Sequence, residues 1–161
     1  MAPNFLVNGA QSNDVCQGGI GDCWLIGAMS VLATQDKYVV GYFNPKLENM
    51  KEVSDQDALG MMQGVYPPMF HSFRKHGLYV LRFYKNFTWR YIVLDDKLPC
   101  YTTSGQPELV FASCATPNEF WVPLIEKAYA KLHGCYQALI SGDLSDGLTD
   151  FTGLVSEKLV I

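Results

Sequence analysis

From Cys23 to Ala33 the sequence is apolar on nearly every side of a helix, so this helix has to be wrapped by the rest of the chain rather than laid on its surface. The residues before it narrow the reading further. Gln17 stands six positions ahead of Cys23, and Gly18, Gly19 and Gly21 fill the bend between them. Glycines permit a sharp turn, and a turn here carries the Gln17 side-chain amide back beside the sulfur. Cys23 then sits in the first turn of the helix, where unpaired N–H groups and the positive end of the dipole favour a thiolate. Its backbone N–H and the Gln17 amide are together suited to hold the oxyanion formed when a thiolate attacks a carbonyl. A glycine-rich turn leading to a buried core cysteine fits the same residues taken one by one. Their combined spacing favours the acylation site.

The 161 residues make one domain, long enough to bury about two-thirds of the unfolded surface. Net charge is −4, which gives no electrostatic case for nucleic acid. No run reaches the length of a transmembrane segment, and the N-terminus lacks the basic and apolar regions of a signal peptide. Five cysteines at irregular spacing argue against a disulfide framework and for a reducing, cytoplasmic setting. Cys16, Cys100, Cys114 and Cys135 read as small core residues. No C-x-x-C pair accompanies His71, His76 and His133, so a zinc site is not expected.

The remaining pattern is α+β: a buried nucleophile helix and further helices packed with a small antiparallel sheet. Residues 41–76 hold Gly41, Pro45, Gly60, Gly64, Pro67 and Pro68 and read as loop with one short helix, capped by Ser54 and Asp57 ahead of Leu59 and Met62. The methionines here, Met50, Met61, Met62 and Met69, suit a core filler better than a partner surface. Gly77–Tyr84 and Thr88–Asp95 alternate, with Tyr79, Leu81 and Phe83 on one face and Trp89, Tyr91 and Val93 on another. Lys85-Asn86 between them predicts an antiparallel hairpin. The basic residues of this section, Arg74 to Lys97, read as a solvated face. After Pro117, Trp121, Leu124, Ile125, Ala128 and Leu132 share one helical face, and Gly134 ends the helix. Pro123 either kinks it or marks its true start. Leu144, Leu148 and Phe151 predict a last short helix ending before Gly153.

Gln17-Gly-Gly-Ile-Gly-Asp-Cys23-Trp24 resembles the nucleophile segment of papain-like proteases, and more closely that of the calpain family, whose pattern is Gln-Gly-x-x-Gly-Asp-Cys-Trp. Asn118-Glu-Phe-Trp through Ala138-Leu139 resembles the calpain block that contains Leu-Glu-Lys-Ala-Tyr-Ala-Lys, and Asp150-Phe-Thr-Gly153 resembles the one that follows it. Phe5–Ala10 adds to the match. The resemblance implies the N-terminal, nucleophile-bearing half of a calpain protease core over residues 1–161, with about 41–76 as an insertion. It implies a calcium-dependent cysteine endopeptidase acting on protein or peptide substrates. Gly142 matches a family glycine beside the cleft that lets substrate backbone approach. It implies calcium (Ca2+) on the carbonyls of Val7 and Gly9 and the side chains of Asp14 and Glu119, a hard-cation ligand set. From the residues alone, Thr116-Pro-Asn-Glu119 reads equally well as a capping box, and Asp14 as the cap of a turn.

A cysteine protease also needs a general base, normally a histidine oriented by a third group. The family's His and Asn segments, which lie in the second half of its core, do not occur here. The chain therefore reads as nucleophile and oxyanion hole without a base, inactive alone and partnered by the half that carries His and Asn. The alternative is a non-catalytic module with a scaffolding or regulatory role in a larger assembly.

Overall fold

Helix α1, Cys23–Leu32, lies in the core as its composition requires: Leu25, Ala28 and Met29 have no solvent exposure, and Ile26 and Leu32 are also buried. The computed structural model describes residues 4–41, 59–60, 62–103, 105–157 and 159. Around α1 come α2 (Asp36–Val40), α3 (Trp121–His133) and α4 (Leu144–Thr152). Helix α4 packs against α1 closely because Gly147 carries no side chain: a Cβ there would lie 2.9 Å from that of Ala28. Asp143 caps α4 through the Ser145 N–H (2.9 Å), and Gly153 ends it in the left-handed conformation, as expected. In α3, Pro123 is the third residue of an unbroken helix, at a position where the N–H it lacks would have had no intrahelical acceptor.

The domain is α+β, but among the described residues the strands form three two-stranded antiparallel pairs rather than one sheet. β2 (Leu78–Lys85) and β3 (Thr88–Asp95) make the expected hairpin, with Leu81 opposite Ile92. Its turn falls on Asn86 and Phe87, one residue later than Lys85-Asn86. Both have positive φ (52° and 60°), the pair of values that matches strand twist in a two-residue loop. Tyr79, Leu81 and Phe83 face the core. In this register the inward residues of β3 are Ile92 and Leu94, so Tyr91 and Val93 point to solvent and Trp89 lies under the Arg82 guanidinium at 3.8 Å. The other pairs are β4 (Cys100–Thr103) with β5 (Gln106–Leu109), and β1 (Val15–Cys16) with β6 (Ser113–Cys114).

Of the helix expected after Ser54 and Asp57, Leu59 and Gly60 are described and helical, while Ser54, Asp57, Met50 and Met61 lie outside the described residues. Beyond it, Val65 and Tyr66 are buried, their N–H groups bonded to the carbonyls of Tyr38 and Val39. A 3-10 helix, Pro68–His76, follows. Met69 is exposed and Met62 half-buried, so neither fills the core. The cysteines also differ from expectation. All five are free; Cys100 and Cys135 are exposed, while Cys16 and Cys114 are half-buried. Cys100 and Cys135 stand on a strand edge and a loop, where no apolar layer covers them. No helix among the described residues is long and apolar enough to cross a membrane.

Candidate active site

Cys23 is exposed at the first position of α1, following a loop that rests on residues 110–111. The Gly19 N–H donates to the Val110 carbonyl at 2.9 Å. A Cβ on Gly18 would stand 2.1 Å from the Phe111 carbonyl carbon, and one on Gly19 would stand 2.9 Å from the Val110 oxygen. Neither glycine has positive φ. Their role is close backbone approach, not the sharp turn that composition suggested. Gly21 has nothing nearer than 4.0 Å. The Gln17 amide donates to the Ile20 carbonyl at 2.7 Å, leaving its second hydrogen available.

A second segment runs alongside. The Trp24 indole N–H donates to the Leu139 carbonyl at 2.8 Å, and the Ser141 N–H reaches the Gly21 carbonyl at 3.4 Å. Gly142 lies flat against the same indole, where a Cβ would come within 2.3 Å of the ring. Cys23 and Gly142 thus lie on either side of Trp24, one through the chain and the other through packing. The requirement for glycine at 142 follows from the Trp24 indole, which stands next to Cys23 in the chain.

Of the four residues that the resemblance implied for calcium, Val7, Asp14 and Glu119 are drawn together by hydrogen bonds and charge. The Val7 N–H donates to Glu119 Oε1 at 2.6 Å, and the Thr116 hydroxyl donates to Asp14 Oδ1 at 2.6 Å. Asp14 and Glu119 are both buried. Burial holds the Glu119 pKa above the usual range; the Val7 N–H opposes this and the charge of Asp14 adds to it. Glu119 Oε2 is buried without a hydrogen bond, with the Trp121 indole and Asp14 near enough to act on its ionisation but not aligned to bond. Gly9, with φ 90°, packs instead on Asp36, whose Oδ2 would stand 2.8 Å from a Cβ there. The capping-box reading fails: α3 begins at Trp121 with Phe120 before it and no side-chain cap, because Thr116 and Glu119 are turned toward Asp14 and Val7. Among the described residues no three His, Cys, Asp or Glu side chains gather as a metal centre, so an ion held here would also need backbone oxygens.

Two of the three histidines are engaged with rings. His71 bonds the Tyr66 carbonyl at 2.9 Å and packs on that ring, and His133 packs on Tyr129 at 4.6 Å. Burial lowers the pKa of both. Two acids escaped the sequence reading. Asp22 turns inward from the start of α1 and meets Glu126 of α3, and neither has any solvent exposure. The available signal was a glutamate inside an apolar helical run and an aspartate abutting another.

A family model described as calpain family cysteine protease matches residues 1–161. The chain is 40% identical to Calpain-8 of Homo sapiens over 156 residues, covering 97% of this chain and 18% of that protein. It is 38% identical to Calpain-5 of Caenorhabditis elegans over 157 residues, 98% of this chain and 21% of that protein. Against the Calpain-2 catalytic subunit of Mus musculus it is 37% identical over 155 residues, 96% and 18% respectively. The chain thus spans about a fifth of the length of these relatives.

Proposed function

The chain belongs to the calpain family of cysteine proteases, and on that premise we propose that it is the nucleophile-bearing half of a calcium-dependent, cytoplasmic cysteine endopeptidase. The observation that carries this is the exposed Cys23 at the first turn of a buried helix, its loop held on residues 110–111 by Gly18 and Gly19. The Cys23 sulfur attacks the scissile carbonyl of a peptide substrate. The developing oxyanion takes hydrogen bonds from the Cys23 N–H, which has no intrahelical acceptor, and from the second hydrogen of the Gln17 amide. Gly142 keeps the cleft wall low beside Trp24, so substrate backbone can approach. The base and its orienting asparagine come from a second half of the core, in keeping with a chain that spans about a fifth of its relatives. Hydrolysis of a peptide substrate tests this. The 161-residue chain alone should fall short of the joined halves by roughly 10³ or more, and Cys23→Ser should abolish the activity of the joined form. Strong Cys23-dependent turnover by the chain alone would show that the base is here.

Calcium fits the group around Glu119. Two buried carboxyls face each other there with an oxygen that has no donor, an arrangement that a hard cation relieves. Asp14 and Glu119 would supply side chains, and Val7 and Gly9 carbonyls. Bound there, the ion would neutralise the two acids and tie the N-terminal segment to the start of α3. Millimolar calcium should raise the melting temperature by mass action, and Asp14→Asn or Glu119→Gln should each remove that rise. A rise that survives both substitutions would rule out these ligands.

A non-catalytic, scaffolding reading is favoured by one observation: His71 and His133 are both occupied by neighbouring rings. Failure of the joined form to cleave peptide would select it.

A further inference from the structure

Asp22, the residue before Cys23, meets Glu126 in the core. Asp22 stands where an aspartate ordinarily caps a helix, yet its carboxyl accepts none of the N–H groups of α1. Of the four oxygens in the pair, only Glu126 Oε2 has a donor, the Ala112 N–H at 2.9 Å. The ion pairs among the described residues, Lys85–Asp150 and Lys127–Asp95, lie elsewhere. Two carboxylates in contact in a dry site cannot both stay ionised at neutral pH. A proton on Glu126 Oε1 turns an acceptor into a donor and joins the two carboxyls, leaving one Asp22 oxygen as the remaining acceptor.

We infer that Asp22 and Glu126 hold one proton between them, donated by the Glu126 carboxyl to Asp22, and that this bridge makes Glu126 a positioning residue for Cys23. The connections run to both sides of the nucleophile loop. Glu126 holds the Ala112 N–H, and the adjoining Phe111 and Val110 carry Gly18 and Gly19; through Asp22 the same carboxyl holds the start of α1. Burial, with the Asp22 contact adding, pushes the Glu126 pKa up to about 8, and burial raises that of Asp22. Tyr136, from the 3-10 helix Tyr136–Leu139, is the other titratable group that senses Glu126; its pKa is raised by burial first and by Glu126 second. On α3 itself, Lys127 is engaged with Asp95 and the Lys97 carbonyl, and Tyr129 with Asp150.

The sign follows from the raised pKa. The folded chain keeps a proton that the unfolded chain releases in the ordinary carboxylate range. The stabilisation is therefore complete below that range and is lost as pH rises through about 8. Above it the pair becomes a dianion, and repulsion drives Asp22, with Cys23 attached, away from α3.

The positioning role rests on Cys23 being the nucleophile; the shared proton does not. In the full chain, infrared spectra should show the carbonyl stretch of a protonated carboxylic acid at pH 7, and Glu126→Gln should remove it. That amide keeps a neutral donor toward Asp22 and an acceptor toward Ala112. The Cys23 alkylation rate, relative to exposed Cys135, should fall about tenfold between pH 7 and 9 in the unsubstituted chain, following loss of the proton. In Glu126→Gln it should stay within about twofold over that span, because the bridge no longer titrates. Should Glu126→Gln fail to fold, Asp22→Asn replaces it: its amide donates to an ionised Glu126, which also removes the band and flattens the profile. Absence of the band, its persistence in both variants, or the same alkaline fall in all forms would overturn the bridge. Loss of the band with Cys23 no more reactive than Cys135 in every form would keep the shared proton and sink the assignment of Cys23. A reactive Cys23 without the band would sink the bridge alone.

Discussion

Replacing Gly18 with alanine tests the loop that presents Cys23. The new methyl would lie 2.1 Å from the Phe111 carbonyl carbon, 2.2 Å from its oxygen and 2.5 Å from its Cα. All three are backbone atoms, so no side-chain rotation relieves the clash. Regaining ordinary contact requires the loop to retreat by about 1 Å or more, given optimal carbon separations of about 3.5 Å or above. That movement breaks the 2.9 Å bond from the Gly19 N–H to Val110. Overpacking costs about 1–3 kcal/mol and the lost bond about 1 kcal/mol, together about 2–4 kcal/mol. For a chain of this size that lowers the melting temperature by roughly 5–15 °C. Scanning calorimetry reads the shift, and timed iodoacetamide labelling with peptide mapping reads Cys23 in parallel. Gly21→Ala is the control, because its methyl meets nothing closer than 4.0 Å, and it should change stability by less than about 0.5 kcal/mol. If Gly18→Ala melts within a degree or two of Gly21→Ala, with Cys23 labelling unchanged, the loop does not rest on residues 110–111.

Phe87→Gly should stabilise the chain by about 0.5–1 kcal/mol, because Phe87 holds a positive φ of 60° at 95% exposure and its ring buries almost nothing; urea titration measures it, and a loss of stability would contradict the turn. Tyr129→Phe removes the hydroxyl that donates to the buried Asp150 at 2.6 Å and should cost about 1–3 kcal/mol in the same titration. A neutral result there would mean that Lys85, which also reaches Asp150 at 2.6 Å, suffices alone. In limited alkylation Cys23 should label ahead of the other exposed thiols, Cys100 and Cys135, with Cys114 last because burial pushes its pKa up to about 12. Labelling of Cys114 before Cys23 would refute the placement of both.

The parts of this fold that were legible in the sequence are those where one local pattern decides. The all-round apolar run fixed α1 as buried, strand alternation located β2 and β3, and Gly134 and Gly153 marked two helix ends. The three-strand-pair arrangement was not legible, because β1, β4, β5 and β6 span two to four residues each, too few to show a period. Which face of β3 turns inward depends on register with β2, a property of two strands together. At the candidate site, spacing placed Cys23 at the start of a buried helix, where it stands exposed. The reason for Gly18 and Gly19 was not legible, because it lies in a backbone about ninety residues away that only the folded chain brings near. Asp22 and Glu126 were missed for the same cause: each reads as an ordinary polar residue until the other arrives.

Trp24 gives the molecule an optical reporter one residue from Cys23. Its indole is half-buried, bonded to the Leu139 carbonyl and faced by Gly142. Trp121 is fully enclosed and Trp89 is covered by a guanidinium, so the fluorescence of both should report other parts of the domain. With those two replaced by phenylalanine, emission from Trp24 becomes a continuous record of whether the 139–142 segment lies against the cleft. Any ligand, ion or neighbouring domain that lifts that segment wets the indole and shifts its emission to the red.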